Sequence, residues 1–176
     1  RVAAKTHEYK EIMQVGLEAI GEVDDYCIYE VLKLAAESLR LCAGNFILEI
    51  SHLGILEAFA DALSPNGQVK QLILECAGEK NLHGISRICR ENGLAEGAEE
   101  PLKRLLGLYG SPRAVMPAIR QLAAENGVGD LAGELGQALT VFTGTDLESR
   151  VQIDFSATGN LKYYNGIVFK GFISGI

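Results

Sequence analysis

Apolar and polar positions alternate with a period of two over residues 9–20, YKEIMQVGLEAI, which predicts a strand. One face carries Glu11, Met13, Val15, Leu17 and Ala19; the other carries Ile12, Gln14, Gly16, Glu18 and Ile20, before Gly21 ends the run. Over residues 26–41 the spacing becomes helical, with Ile28, Val31, Leu32, Ala35 and Leu39 on one stripe. Asp24 and Asp25 supply N-cap chemistry and a favourable charge at its start, and Gly44 follows as a stop signal. Residues 45–51 predict a second strand with Phe46, Leu48 and Ile50 on one side. Residues 52–63 predict a helix that ends before Ser64-Pro65-Asn66-Gly67.

The character then changes. From about residue 68 to 142 the chain offers short helices rich in leucine and alanine, broken at Gly78, Gly93, Gly97, Gly110, Pro112 and Gly127. No strand is predicted there, and no self-similar period marks a repeat array. Strict alternation returns in VQIDFS, residues 151–156, followed by the turn signal Ala157-Thr158-Gly159-Asn160. Residues 161–173 alternate again, setting Leu161, Tyr163, Asn165, Ile167 and Phe169 against Lys162, Tyr164, Gly166, Val168 and Lys170. Two such runs joined by a short turn predict an antiparallel hairpin. Sheet elements at both ends with helices between them define an α+β domain with a helical insertion.

Composition narrows the function classes. Of 176 residues, 48% are hydrophobic and 22% charged, the balance of an ordered globular chain. A net charge of -7 argues against nucleic acid as the main partner, because phosphate backbones are held by clustered Lys and Arg. Cys27, Cys42, Cys76 and Cys89 are too far apart for a CxxC pair, and His7, His52 and His83 do not stand beside them in a ligand pattern. Buried, reduced thiols and no metal are the expectation, which suits a cytoplasmic location. No run approaches the ~18 apolar residues of a membrane span, and no signal peptide is read. The chain starts at Arg1 and ends within a predicted strand, so it reads as part of a longer protein.

The chemistry-bearing positions are few. On the first predicted strand Gln14 and Glu18 share a face with Gly16 between them. An amide and a carboxylate around a glycine gap would suit a ligand bearing an ammonium group; a half-solvated sheet face is the alternative. Tyr164 faces a polar ligand in the same scheme while Tyr163 packs inward. Two packing tyrosines with satisfied hydroxyls would look the same. Glu49 and Asp154 point away from the apolar sides of their strands, as pocket carboxylates or, more simply, as solvated or ion-paired ones. His52 has no nucleophile partner and reads as a helix-start or core residue. Arg87, Arg90, Lys103 and Arg104 read as solvated helix faces. There is no phosphate loop, dinucleotide fingerprint, HExxH or GxSxG.

Three blocks carry a family resemblance. EIMQVGLEAIG, residues 11–21, resembles the segment after the motif 2 loop of histidyl-tRNA synthetases and their relatives. NFILEISHLGILEAF resembles the family's next strand and helix. IDFSATGNLKYYNGIVFKGF resembles its histidine-binding signature, in which a turn leads into YYTG-VFE. The blocks occur in the family's order and span nearly the whole chain. The resemblance implies a class II aminoacyl-tRNA synthetase-like fold, a mainly antiparallel sheet flanked by helices, normally dimeric. Residues 1–63 and 146–176 would form part of the synthetase-like core, and 64–145 a helical insertion. It further implies a histidine-like ligand pocket at Gln14, Glu18 and Tyr164, with Glu18 meeting the α-ammonium and Tyr164 the imidazole.

The departures point away from catalysis. Synthetases read RGLDYY in the last block where this chain reads GNLKYY, so Gly159 stands at the catalytic arginine and Lys162 at the acidic position. Amino-acid activation develops negative charge that a guanidinium stabilises, and glycine has no side chain to do so. The leucine-rich insertion with its GLYGSPRAV stretch resembles the regulatory paralogue, the histidyl-tRNA synthetase-like regulatory subunit of ATP phosphoribosyltransferase. That resemblance implies a non-catalytic protein without cofactor. Its partners would be the short-form ATP phosphoribosyltransferase catalytic subunit and histidine as effector, in a homodimer within a hetero-oligomer. An active histidyl-tRNA synthetase and a free-standing histidine-binding domain are the competing readings.

Overall fold

The computed structural model describes residues 15–158 and 164–173. Helix α1, Asp25–Cys42, begins where the aspartates predict: the Asp24 carboxylate accepts from the Cys27 N–H at 2.8 Å. Its inner stripe buries Leu32, Ala35 and Ala36, with Ile28 and Leu39 packed alongside. Strand β1, Phe46–His52, follows, burying Phe46, Leu48 and Ile50 as the alternation requires. Helices α2 (Leu53–Leu63), α3 (Gly67–Gly78), α4 (Leu82–Glu91) and α5 (Glu100–Leu106) lead to a two-residue strand β2, Tyr109–Gly110. After α6 (Pro112–Glu125) and α7 (Gly129–Leu139), two 3-10 turns at Thr140–Phe142 and Glu148–Arg150 deliver β3 (Val151–Asp154); β4 is Ile167–Ile173.

The sheet order is β2-β3-β1-β4. β1 runs parallel to β3 and antiparallel to β4, while β2 pairs antiparallel with β3. Three expectations are corrected here. β3 and β4 do not form a hairpin, because β1 lies between them and pairs with both. The gain is physical: Phe46, Leu48 and Ile50 meet Val151 and Ile153 on one side and Phe169, Gly171 and Ile173 on the other, so three strands present one continuous apolar face. The second correction is β2. A strand forms within the stretch expected to hold none, since two residues with an edge to pair with carry too short a pattern to read. The strand predicted over 9–20 also fails where it can be seen: residues 15–20 belong to no strand and pair with none among the described residues, with Val15 90% and Ile20 84% exposed. Residues 9–14 fall outside the described residues.

Helix α1 packs on β1 and β4, α6 on β3, and α7 on β1. Gly171 admits α1 closely; a Cβ there would sit 2.7 Å from a Leu39 methyl. The cysteine expectation holds in part. All four are free thiols, but only Cys89 is buried and Cys42 is exposed at the end of α1. Lys103 is not a solvated charge either: it pairs with the buried Glu99 at 3.2 Å and with Glu100 at 2.8 Å, and Ser86 donates to the same Glu99 carboxylate.

Candidate functional site

Residues directly opposite each other in a sheet share a face, so the register defines what β1 shows on its non-core side. Glu49 stands opposite Gln152 of β3 and Lys170 of β4; Ser51 stands opposite Val168; and Tyr109 of β2 stands opposite Asp154. Apolar residues fill one face of the sheet; the other is mixed, with Glu49, Ser51, Gln152, Asp154 and Lys170 beside Ile47, Val168 and Phe172.

The Tyr164 hydroxyl donates to the Glu18 carboxylate, linking the chain before α1 to the chain before β4. Glu18 is exposed and Tyr164 half-buried. Two of the three residues expected to line a pocket are thus brought together, although 146 positions apart. Gln14, Gly159, Lys162 and Tyr163 lie outside the described residues.

On this face an ion pair joins the α3–α4 turn to β3. Lys80 Nζ lies 2.7 Å from Asp154 Oδ2 and 5.3 Å from the centre of the Tyr109 ring. Asp154 is 3% exposed; its Oδ1 accepts from the Ser156 N–H at 2.9 Å and the Ser156 hydroxyl at 2.8 Å. Burial pushes the Asp154 carboxyl up, but the bonds from Lys80 and Ser156 outweigh it and hold the group below its ordinary range. Lys80 is held in the left-handed region, φ 53, alone among the described non-glycine residues. It occupies the C′ position of a Schellman ending: its N–H bonds Ala77 O and the Asn81 N–H bonds Cys76 O. Glycine normally fills that position. Neither Lys80 nor Tyr109 stands out in the sequence, because nothing local to Glu79-Lys80-Asn81 signals a long-range pair.

Glu49 is half-buried. Burial first, then the Asp154 charge, push its carboxyl up; Lys80, Lys170 and the Tyr109 hydroxyl pull the other way. Next to it on the same face Ser51 is fully buried, with no hydrogen-bond partner for its hydroxyl among the described residues. No group of three or more metal-ligating side chains occurs among the described residues.

His52 is the helix-start and core residue that the sequence suggests. Its Nδ1 accepts from the Ile55 N–H at 3.3 Å, capping α2, and its Nε2 lies 3.4 Å from Glu134 of α7. Burial holds the imidazole below its ordinary value, with Glu134 opposing. A depressed histidine favours the neutral form in the fold, so its contribution is complete above about pH 6.5 and is lost as pH falls below that. The urea midpoint is expected to drop between pH 7.5 and 5.5, and His52→Asn, which keeps a capping oxygen, to flatten that slope. An equal slope in the variant would remove His52 as the cause.

This architecture, a mixed sheet with helices packed on its apolar face, is that of the class II aminoacyl-tRNA synthetases. The histidyl-tRNA synthetase from Nostoc sp. PCC 7120 superposes with a TM-score of 0.68 at 14% identity, over 85% of this chain and 37% of that one. A Bacillus halodurans structure described as an ATP phosphoribosyltransferase regulatory subunit/histidyl-tRNA synthetase gives a TM-score of 0.76 at 23% identity, over 89% and 42%. The family model described as Histidyl-tRNA synthetase matches residues 1–176, and the chain belongs to that family. Among curated relatives, the ATP phosphoribosyltransferase regulatory subunit of Alkaliphilus metalliredigens is 26% identical over 164 residues, covering 93% of this chain and 41% of the relative. That of Geobacter sulfurreducens is 25% identical over 168 residues, covering 95% and 38%. The chain therefore spans about two-fifths of the length of these relatives. Among the described residues no helix is long and apolar enough to cross a membrane.

Proposed function

We propose that this chain is part of a non-catalytic regulatory subunit of ATP phosphoribosyltransferase, acting in histidine biosynthesis. The observation that carries the reading is the name shared by the curated relatives over more than nine-tenths of the chain, joined to Gly159 and Lys162 where synthetases carry Arg and Asp. The subunit would act in the cytoplasm, as a homodimer within a hetero-oligomer, on a short-form catalytic subunit. Residues 1–63 and 146–176 would form the synthetase-like core and 64–145 the insertion, whose β2 lends the core an edge strand. Histidine would bind at Gln14, Glu18 and Tyr164 and confer feedback control by favouring one state of the assembly over the other.

Mixing the protein with a short-form catalytic subunit is expected to raise turnover of ATP and phosphoribosyl pyrophosphate, and added histidine to reverse the gain. Unchanged turnover overturns the assembly. The description of the matching family model favours the competing reading, a histidyl-tRNA synthetase. Histidine-dependent exchange of pyrophosphate into ATP would establish that one instead.

A further inference from the structure

The mixed face already shows how it holds an ammonium group. Lys80 brings one to the Asp154 carboxylate and the Tyr109 ring from the end of α3, and the chain accepts a left-handed lysine to put it there. A second carboxylate, Glu49, also neighbours Tyr109, and Lys80 and Lys170 act on it at a distance. It is half-buried beside the Tyr109 hydroxyl, and among the described residues no Lys or Arg nitrogen lies within the 4.0 Å of an ion pair. Lys170, directly across the strands from Glu49, places its ammonium 4.8 Å over the Phe172 ring instead.

Two acceptors flank this carboxylate. The Gln152 amide is opposite it on β3, and the Ser51 hydroxyl is the next group on the same face of β1, fully buried and without a partner among the described residues. An unmet buried hydroxyl is rare enough to call for an explanation. A carboxylate, an amide oxygen and a hydroxyl oxygen match the three N–H donors of a primary ammonium. An aromatic ring beside them suits its charge.

We propose that Glu49, Gln152 and Ser51, with Tyr109 as the wall, form a binding site for the protonated primary amine of a small ligand. The site shares no residue with the Glu18–Tyr164 contact and does not depend on the assembly proposed above. A quaternary ammonium fits it poorly, because it carries the charge without donors for Ser51 and Gln152. Metal cations do not fit either, since one free carboxylate supplies too few charged oxygens.

The test is a titration of the full 176-residue chain with ethylammonium chloride, tetramethylammonium chloride and sodium chloride at matched ionic strength. The Glu49 carboxyl carbon and Tyr109 ring resonances are followed by NMR. Ethylammonium is expected to shift both saturably, and the other two salts to produce only a shallow, unsaturating drift. Glu49→Gln should weaken the Tyr109 response at least fivefold, and Ser51→Ala by a smaller factor. Equal responses to all three salts overturn the proposal, as does saturation centred on Tyr164 that survives Glu49→Gln. If Glu49→Gln fails to fold, the comparison of the three salts on the parent chain, together with Ser51→Ala, still decides it.

Discussion

Asp154→Ala is expected to lower the folding stability by about 2–3 kcal/mol, through lost charge-assisted bonds to Lys80 and Ser156. Because Lys80 remains half-exposed, its stranded charge recovers hydration, and the estimate stays below that of a fully buried pair. A sharper result is expected from Lys80→Gly. Glycine relieves a left-handed backbone at a gain of about 1 kcal/mol, but in the parent it also strands a buried carboxylate, which costs more. The substitution should therefore destabilise the parent and stabilise the Asp154→Ala background. Urea midpoints for the four chains of this cycle measure the sign directly. Equal stabilisation in both backgrounds would mean that the ion pair contributes nothing. The contribution of Asp154 should be complete above about pH 3.9 and be lost as pH falls through its depressed folded value.

Glu18→Gln is expected to weaken histidine binding on the order of tenfold, since a charged hydrogen bond to an ammonium becomes a neutral one. Tyr164→Phe removes the phenol that donates to Glu18 and should cost several-fold. Calorimetry of the two variants and the parent separates a pocket from a remnant of ancestry. Affinity unchanged in Glu18→Gln would take Glu18 out of the site, without touching the case for assembly with a catalytic subunit. The two proposals can therefore fail independently.

Much of the candidate site was readable before folding, but unevenly. Glu18 and Tyr164 stood out because each sat in a block resembling one family, and the fold places them in contact. Glu49 and Asp154 were visible as polar positions on otherwise apolar strands, and alternation correctly put them off the core side. Asp154 proved 3% exposed, so facing away from the core did not mean facing water. Lys80 and Tyr109 could not be found: one lies in a helix–helix turn, the other in a two-residue strand, and both matter only for what they touch far along the chain.

The sequence by itself determined what depends on neighbours within a few residues. The Asp24 cap, the buried stripe of α1, the inward set Phe46, Leu48 and Ile50, and the His52 start of α2 follow from periodicity and capping, which act over one or two turns. Tertiary structure alone decided which strands lie side by side. Alternation assigns faces and says nothing about partners, so β1 could displace the expected hairpin by burying apolar surface against two strands. The same long-range packing set the left-handed Lys80 against Asp154, because a local conformational cost is tolerated only when a distant contact outweighs it.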